Sequence, residues 1–194
     1  MNSVLISTSP LVKTYSLNEF WELPEPEDHS KRELIAGVLY MAPPPNYSHD
    51  SITSRLIDAL VAHRFSIADK GKLYTPRAAI WTSGKTYLEP DLFYLSAELE
   101  ATLDKDFRST ADLVIEILSP ASEQYDRTTK ADTYGALGVR ELWLVDPTNR
   151  TIEVRTQTGN GFDKGTVFSQ GETIKSQIFP HLDLPVTLIF ADLG

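Results

Sequence analysis

Two acidic residues lie in apolar segments, where packing alone would not place them. Asp91 precedes the apolar part of the segment EPDLFYL, and Glu116 lies between Ile115 and Ile117 in DLVIEIL. A carboxylate buried without a partner is strongly unfavourable, so each acid must be paired, hydrogen-bonded or bound to a cation. Carboxylate oxygens are the ligands that Mg²⁺ and Mn²⁺ prefer, and such an ion activates water for hydrolysis.

Both segments have the composition of β-strands, and this determines where the two carboxylates point. Alternation along each strand places Asp91 on the face of Phe93 and Glu116 on the face of Val114. If the two strands are neighbours, the carboxylates converge at one point. The alternative is that each acid lies at a sheet end, where it accepts backbone hydrogen bonds or pairs with an arginine.

A lysine is predicted to face the same sheet from a helix over about residues 126–137. Lys130 shares one helical face with Asp126, Tyr134 and Leu137. Because Tyr134 and Leu137 must face the sheet, the ammonium group points inward, and carboxylates beneath it would offset its desolvation. Alternatively, the side chain extends past the seam into water or pairs with Asp126 alone.

The remaining patterns predict a mixed α/β domain over residues 1–194, with one sheet flanked by helices. Residues 1–28 are expected to form a leader helix, over about 16–21, and an acidic, proline-rich turn. A further helix is predicted over about 48–64, with Ser48 as its N-cap. The predicted strands are two around Gly37 within 33–41, then 72–81, 89–95, 112–118, 141–145 and 151–156, and one beyond about Gly171.

Four segments carry a resemblance to a known family: ELIAGVLYMAPPPNYSHDSI, EPDLFYL, ADLVIEILSPAS and DRTTKADTYGALGVRELWLVDPTNRTIEV. Over about residues 15–190 the chain resembles the Uma-two family, restriction-endonuclease domains of the PD-(D/E)xK nuclease superfamily. The resemblance implies a restriction-endonuclease-like αβββαβ core, with extra strands at both ends. It assigns Asp91 to the PD element and Glu116 to the second acidic position. Leu118 stands where the superfamily has lysine, and Lys130 matches a lysine displaced to the following helix.

The resemblance also implies roles for these residues. Asp91 and Glu116 would hold Mg²⁺ or Mn²⁺, with the backbone carbonyl of Ile117 as a third ligand, and Lys130 would position the attacking water. Glu33 and His49 match further family positions. Glu33 would hold a second metal or orient a water, and His49 would contact a phosphate; structural roles are the alternative for both. If Lys130 lies beside a partly solvated metal site, Lys130→Met should abolish cleavage and melt almost normally.

The function implied is a Mg²⁺-dependent endonuclease acting on DNA. The alternative is an inactive nucleic-acid-binding or protein-interaction module that retains the nuclease fold. Eighteen basic against 27 acidic residues give a net charge of −9, which argues against a protein that coats nucleic acid non-specifically. Many nucleases of this superfamily act as dimers, so a homodimer is expected. The candidate residues for contacts with phosphate are Lys31, Arg32, Arg55, Arg77 and Arg127.

Other classes find no support in the sequence. Cysteine is absent, which excludes disulfides and thiolate chemistry. Nucleotide-binding glycine motifs, HExxH and GxSxG are also absent. A glycosidase with paired carboxylates is disfavoured by the inward lysine and the order of elements. No apolar run reaches 18 residues and the first residues lack a secretory pattern, so we expect a cytoplasmic protein without a membrane span.

Overall fold

Two β-sheets organise residues 12–105 and 107–193, which are the residues that this computed structural model describes. The smaller sheet has the order β2-β1-β5-β4 and is antiparallel throughout. The larger sheet has the order β10-β9-β8-β7-β6-β3, and its β7–β8 pair is parallel while its other pairs are antiparallel. The strands are β1 Lys31–Ile35, β2 Val38–Ala42, β3 Lys72–Tyr74, β4 Ile80–Trp81, β5 Tyr87–Leu88, β6 Leu92–Leu95, β7 Leu113–Ile117, β8 Glu141–Asp146, β9 Thr151–Thr156 and β10 Thr166–Phe168.

The helices begin where the sequence supplies caps. A capping box between Ser16 and Glu19 starts α1, and the Asn46 side chain accepts the backbone N–H of His49 at the start of α2. The segment after β7 is helical from Glu123 to Ala136, but its middle turn, Asp126–Lys130, is a π turn. The helices are α1 Leu17–Trp21, α2 Tyr47–Ser66, α3 Ala97–Glu100, α4 Glu123–Tyr125, α5 Ala131–Ala136 and α6 Val186–Ile189.

The larger sheet is covered on both faces, which explains the nearly continuous apolar sequence of its central strands. On one face, Ile52, Leu56 and Leu60 of α2 pack with Ile115 of β7 and with the C-terminal segment. On the other face, Tyr134 of α5 belongs to a second core cluster with Phe93, Val114 and Leu142. The order α2, β3, β6, β7, α4–α5, β8 is the predicted αβββαβ core, flanked by further strands.

Four predictions about the bounds of elements were wrong. The strand predicted over 72–81 is two strands in different sheets, because Pro76 lacks a backbone N–H and Arg77 has a positive φ of 73°. Asn46 rather than Ser48 caps α2, and the helix expected from 126 begins at Glu123. No strand is present after Gly171 in the described residues: Thr173 forms only an isolated bridge with Pro185, and β10 ends at Phe168. The first 11 residues of the predicted leader lie outside the described part of the chain.

One buried carboxylate attaches the C-terminal segment to the larger sheet. Glu141 in β8 is fully buried and accepts hydrogen bonds from Trp143 Nε1 (2.7 Å), Ser176 Oγ (2.6 Å) and the backbone N–H of Gln177 (2.7 Å). The donor Trp143 belongs to the same core cluster as Val186 and Ile189 of α6. The contacts explain an acid at the start of a strand with no role in the cleft described below.

We expect Glu141→Ala to lower the free energy of unfolding by about 1–3 kcal/mol for each buried donor that it leaves unpaired. Guanidinium unfolding would measure the change. Glu98→Ala, which removes an exposed glutamate from α3, is the matched control and should change stability little. An equal stability for both variants would show that the buried carboxylate contributes no net stabilisation.

Candidate active site

Asp91, directly before β6, lies opposite Glu116 of the adjacent strand β7. In the antiparallel β6–β7 pair, Leu92 is the partner of Ile115, and the same register continued by one residue places Asp91 opposite Glu116. Directly opposite residues of an antiparallel pair point to the same face. The backbone N–H of Ile117 donates to Asp91 Oδ2 at 2.8 Å, which fixes the aspartate beside the end of β7. The structure therefore brings the two predicted acids together.

Asp91 is buried and held by two cationic or polar side chains. Its Oδ1 lies 3.1 Å from Lys31 Nζ, and its Oδ2 lies 3.1 Å from His49 Nε2. Burial alone would raise the pKa of Asp91, but the Lys31 ammonium and the His49 hydrogen bond outweigh it and hold that pKa well below its usual range. These contacts therefore favour the ionised carboxylate.

Glu116 is held at one oxygen and open at the other. Its Oε1 accepts a hydrogen bond from Tyr134 Oη at 2.6 Å and lies 2.6 Å from Lys130 Nζ. Within the described residues, Oε2 has no hydrogen-bond partner, and the residue lines the cleft described below. Burial raises the pKa of Glu116 to about 8, against the opposing effect of Lys130. Glu116 therefore tends to retain a proton at neutral pH.

Lys130 is surrounded by carboxylates. Its Nζ lies 2.6 Å from Glu116, 3.3 Å from Glu33 and 3.5 Å from Asp126, and its side chain is 3% exposed. Burial disfavours the charged ammonium, but the attraction of Glu116 and Glu33 is stronger and raises the pKa of Lys130 well above its usual value. The side chain therefore does not extend into water, and Asp126 is not its sole partner among the described residues.

The two additional residues predicted for the site also lie in it. Glu33 reaches Lys130 from β1 of the smaller sheet, and its Oε1 accepts the backbone N–H of Glu89 at 2.9 Å. His49 reaches Asp91 from the first turn of α2, with its Nδ1 3.5 Å from Thr53 Oγ1. Glu33 therefore acts on the cluster through Lys130, and His49 acts on it through Asp91.

The cluster forms the floor of an open cleft of about 650 Å³, a typical volume for a ligand site. The prolines that follow β2 and the loop that follows β7 line its walls. The lining residues relevant here are Lys31, Glu33, Pro43, Pro44, Pro45, His49, Arg77, Glu89, Asp91, Glu116, Ile117, Ser119, Ser122, Asp126 and Lys130.

The donor atoms suit a hard divalent cation that water and substrate complete. In the described part of the chain, no three or more His, Asp or Glu side chains are arranged to hold a metal ion by themselves. Mg²⁺, however, is commonly bound by one or two carboxylates together with waters and substrate phosphates. The floor brings four buried acids, Asp91, Glu116, Glu33 and Asp126, together with two ammonium groups. The acids outnumber the ammonium groups, and this favours the binding of a cation in the cleft.

Most of the predicted phosphate contacts are engaged elsewhere. Arg32 donates to the backbone of the turn at 23–24, Arg55 donates to a carbonyl of α6, and Arg127 pairs with acids at 123, 146 and 153. Lys31 and Arg77 line the cleft. Basic side chains that can approach a substrate are therefore concentrated on the side of the cleft formed by β1 and the turn before β4.

Two contacts were not predicted from the sequence. Lys31 is the ion-pair partner of Asp91, and Tyr134 donates to Glu116. Lys31 and Glu33 alternate along β1 and share one face, so the strand pattern contained a signal for the first contact. Tyr134 was placed on the sheet-facing side of its helix, but nothing in its spacing identified the acid that it contacts.

The described helices include none that is both long enough and apolar enough to span a membrane. This finding agrees with the lack of a long apolar run in the sequence.

Comparisons with known proteins concern the fold and the family. Comparison with solved structures finds a chain described as a putative nuclease belonging to DUF820 from Anabaena variabilis ATCC 29413, with a TM-score of 0.73 and 22% identity. The match covers 91% of this chain and 97% of that one, and it shows a shared fold. Comparison with curated proteins finds no match. A family model, Uma2, described as "Putative restriction endonuclease", matches residues 17–187. The chain therefore belongs to the Uma2 family.

Proposed function

We propose that the protein is a Mg²⁺- or Mn²⁺-dependent endonuclease that hydrolyses phosphodiester bonds in DNA. The observation that carries this proposal is the pair formed by Asp91, directly before β6, and Glu116 of the adjacent β7, at the floor of an open cleft. The descriptions of the Uma2 family and of the structural neighbour as nucleases support the same reaction class.

Asp91 and Glu116, with the backbone carbonyl of Ile117, would hold the cation. When bound, the ion supplies an activated water and stabilises charge on the leaving oxygen. The protein contributes orientation: the Ile117 N–H and His49 fix the Asp91 carboxylate. Lys130 and Tyr134 hold Glu116 at Oε1, which leaves Oε2 without a protein partner among the described residues. Such outer contacts orient metal ligands.

We assign Lys130 the role of a buried positive charge that holds Glu116 and counters negative charge that develops on the phosphate, since its N–H donors face three carboxylates. Glu33 and Asp126 hold the ammonium between them and Glu116. Glu33 is therefore a positioning residue that acts through Lys130, and His49 is a positioning residue that acts through Asp91.

A module that retains the fold and binds nucleic acid or protein without cleaving is the second candidate. The net charge of −9, with three of the five predicted phosphate contacts engaged elsewhere, is the observation that favours its protein-binding form. The conjunction of both acids with Lys130 in one cleft favours the enzyme. A homodimer and a cytoplasmic location stay predictions, the first of which sedimentation analysis would test.

The decisive experiment for the enzyme is DNA cleavage by the purified protein. With Mg²⁺ or Mn²⁺, we expect nicking or linearisation of supercoiled plasmid, and single-stranded DNA tests the strand preference. Asp91→Ala should cleave at least about 10²-fold more slowly, the scale for losing one group that stabilises the transition state. Asp132→Ala, at an exposed aspartate of α5, should cleave at the wild-type rate.

Two results would contradict the proposal. A wild-type protein that cleaves no DNA with either ion would favour the non-catalytic module. Equal cleavage by wild type and by Asp91→Ala would locate the activity outside this cleft.

A further inference from the structure

Two ammonium groups lie at the floor of the cleft, and they differ in access to a substrate. The Lys130 side chain is 3% exposed, whereas the Lys31 side chain is 21% exposed. Lys31 extends from β1 of the smaller sheet, and Lys130 extends from the end of the π turn. The two lysines therefore approach the acid pair from different elements, one sealed from solvent and one open to it.

The hydrogen-bond donors of the two groups are used differently. An ammonium group has three N–H donors. Lys130 Nζ has three carboxylates within 3.5 Å, one for each donor. Lys31 Nζ donates to Asp91 Oδ1 at 3.1 Å and to the backbone carbonyl of Glu89 at 2.7 Å. Within the described residues no third acceptor is present for Lys31, so one N–H is available in the cleft.

We propose that Lys31 is a catalytic residue that donates a hydrogen bond to a non-bridging oxygen of the scissile phosphate. This inference rests on the proposed nuclease function and deepens it. Lysine is a common phosphate ligand, and a fixed donor aimed at developing negative charge stabilises the transition state. During hydrolysis the water oxygen bonds to phosphorus and gives up one proton, while the phosphorus–oxygen ester bond breaks and its electron pair and one proton go to the leaving oxygen. Lys31 donates a hydrogen bond throughout and transfers no proton.

Arg77 is the other basic side chain of the cleft wall and differs from Lys31 in position. Its Nη1 lies 3.8 Å from Glu89 Oε2, and its side chain is 63% exposed. No contact links it to Asp91, Glu116 or Lys130 among the described residues. Lys31, by contrast, contacts Asp91 directly and is held at two points. Arg77 therefore lies at the rim of the cleft, and Lys31 lies beside the acids.

The test compares Lys31→Met and Lys31→Arg with Lys72→Met, which removes an exposed lysine paired with Glu100 on another surface. Single-turnover cleavage of a DNA duplex is measured at saturating Mn²⁺. We expect Lys31→Met to slow cleavage by about 10²–10³-fold, the usual effect of losing one transition-state donor. Lys31→Arg should recover part of the rate, and Lys72→Met should match the wild type.

Two further readouts separate phosphate binding from a merely structural role. Mn²⁺ affinity, measured by calorimetry, should be retained or tightened in Lys31→Met, because the variant removes a cation from Asp91. In EDTA, the salt dependence of binding to the same duplex should fall by about one phosphate contact in Lys31→Met.

Three results would overturn the inference. A Lys31→Met protein that melts early but cleaves at the wild-type rate at saturating Mn²⁺ would show that Lys31 is a counter-ion of Asp91. An unchanged salt dependence would show that it does not contact phosphate. A wild-type protein that neither cleaves nor binds DNA would overturn the proposed function and this inference together. The first two results differ from this one because they overturn only the role of Lys31.

Discussion

Lys130→Met is expected to lower the free energy of unfolding by about 3–5 kcal/mol, because it leaves buried carboxylates without their counter-ion. The ammonium is buried within 3.5 Å of Glu116, Glu33 and Asp126. Methionine fills a similar volume but supplies neither charge nor hydrogen bonds. Urea or guanidinium unfolding measures the change. Cleavage should fall by about 10²–10³-fold as well, because the same charge acts in the reaction.

A matched variant gives this prediction its control. Lys72→Met removes a lysine whose side chain is 60% exposed and paired with Glu100, so it should cost no more than about 1 kcal/mol. Near-normal melting of Lys130→Met, as expected from the sequence, assumed a partly solvated ammonium. The observed burial contradicts that assumption, and near-normal melting would contradict the present account.

Mn²⁺ affinity is expected to rise about tenfold for each pH unit from pH 6 to near pH 8. Burial raises the pKa of Glu116 to about 8, so a bound cation must displace a proton below that pH. Asp91, whose pKa lies well below its usual range, stays ionised throughout. Calorimetry in buffers of different ionisation enthalpy would measure both the affinity and the release of about one proton.

The same shift has a consequence for stability. Because the folded protein retains the Glu116 proton to a higher pH than the unfolded chain, stability falls as pH rises between about 4.5 and 8. A cation that binds the folded state should oppose this loss. Glu116→Gln, which has no such proton, should bind Mn²⁺ more weakly and without proton release. A wild-type affinity that is constant from pH 6 to pH 8 would contradict this assignment.

Sequence patterns predicted the acid pair because strand alternation is a local property. Asp91 and Glu116 were placed on particular faces of two strands, and the observed β6–β7 pairing then made those faces coincide. The family resemblance contributed what spacing could not, namely the αβββαβ order and the choice of Lys130. The mixed sheet flanked by helices is confirmed by the structure and by the fold of the neighbour.

The contacts between the two sheets could not be predicted in the same way. Lys31 and Asp91 are 60 residues apart, and their ion pair depends on how the smaller sheet packs on the larger one. The π turn at Asp126–Lys130 also left no clear signal, because counting in α-helical steps already placed both residues on one face. Tertiary packing determines which acids surround Lys130 and how far its side chain is buried. The sequence therefore did not predict that the ammonium is almost fully buried.

The most direct test of the central claim is where a cation binds. Crystals grown or soaked with Mn²⁺ would give an anomalous difference peak that identifies the ion and its ligands. The predicted result is a peak coordinated by Asp91 and Glu116, with water completing the shell, that disappears in the Asp91→Ala variant. A peak at another cluster of acids, or its persistence in Asp91→Ala, would show that these two carboxylates do not form the metal site.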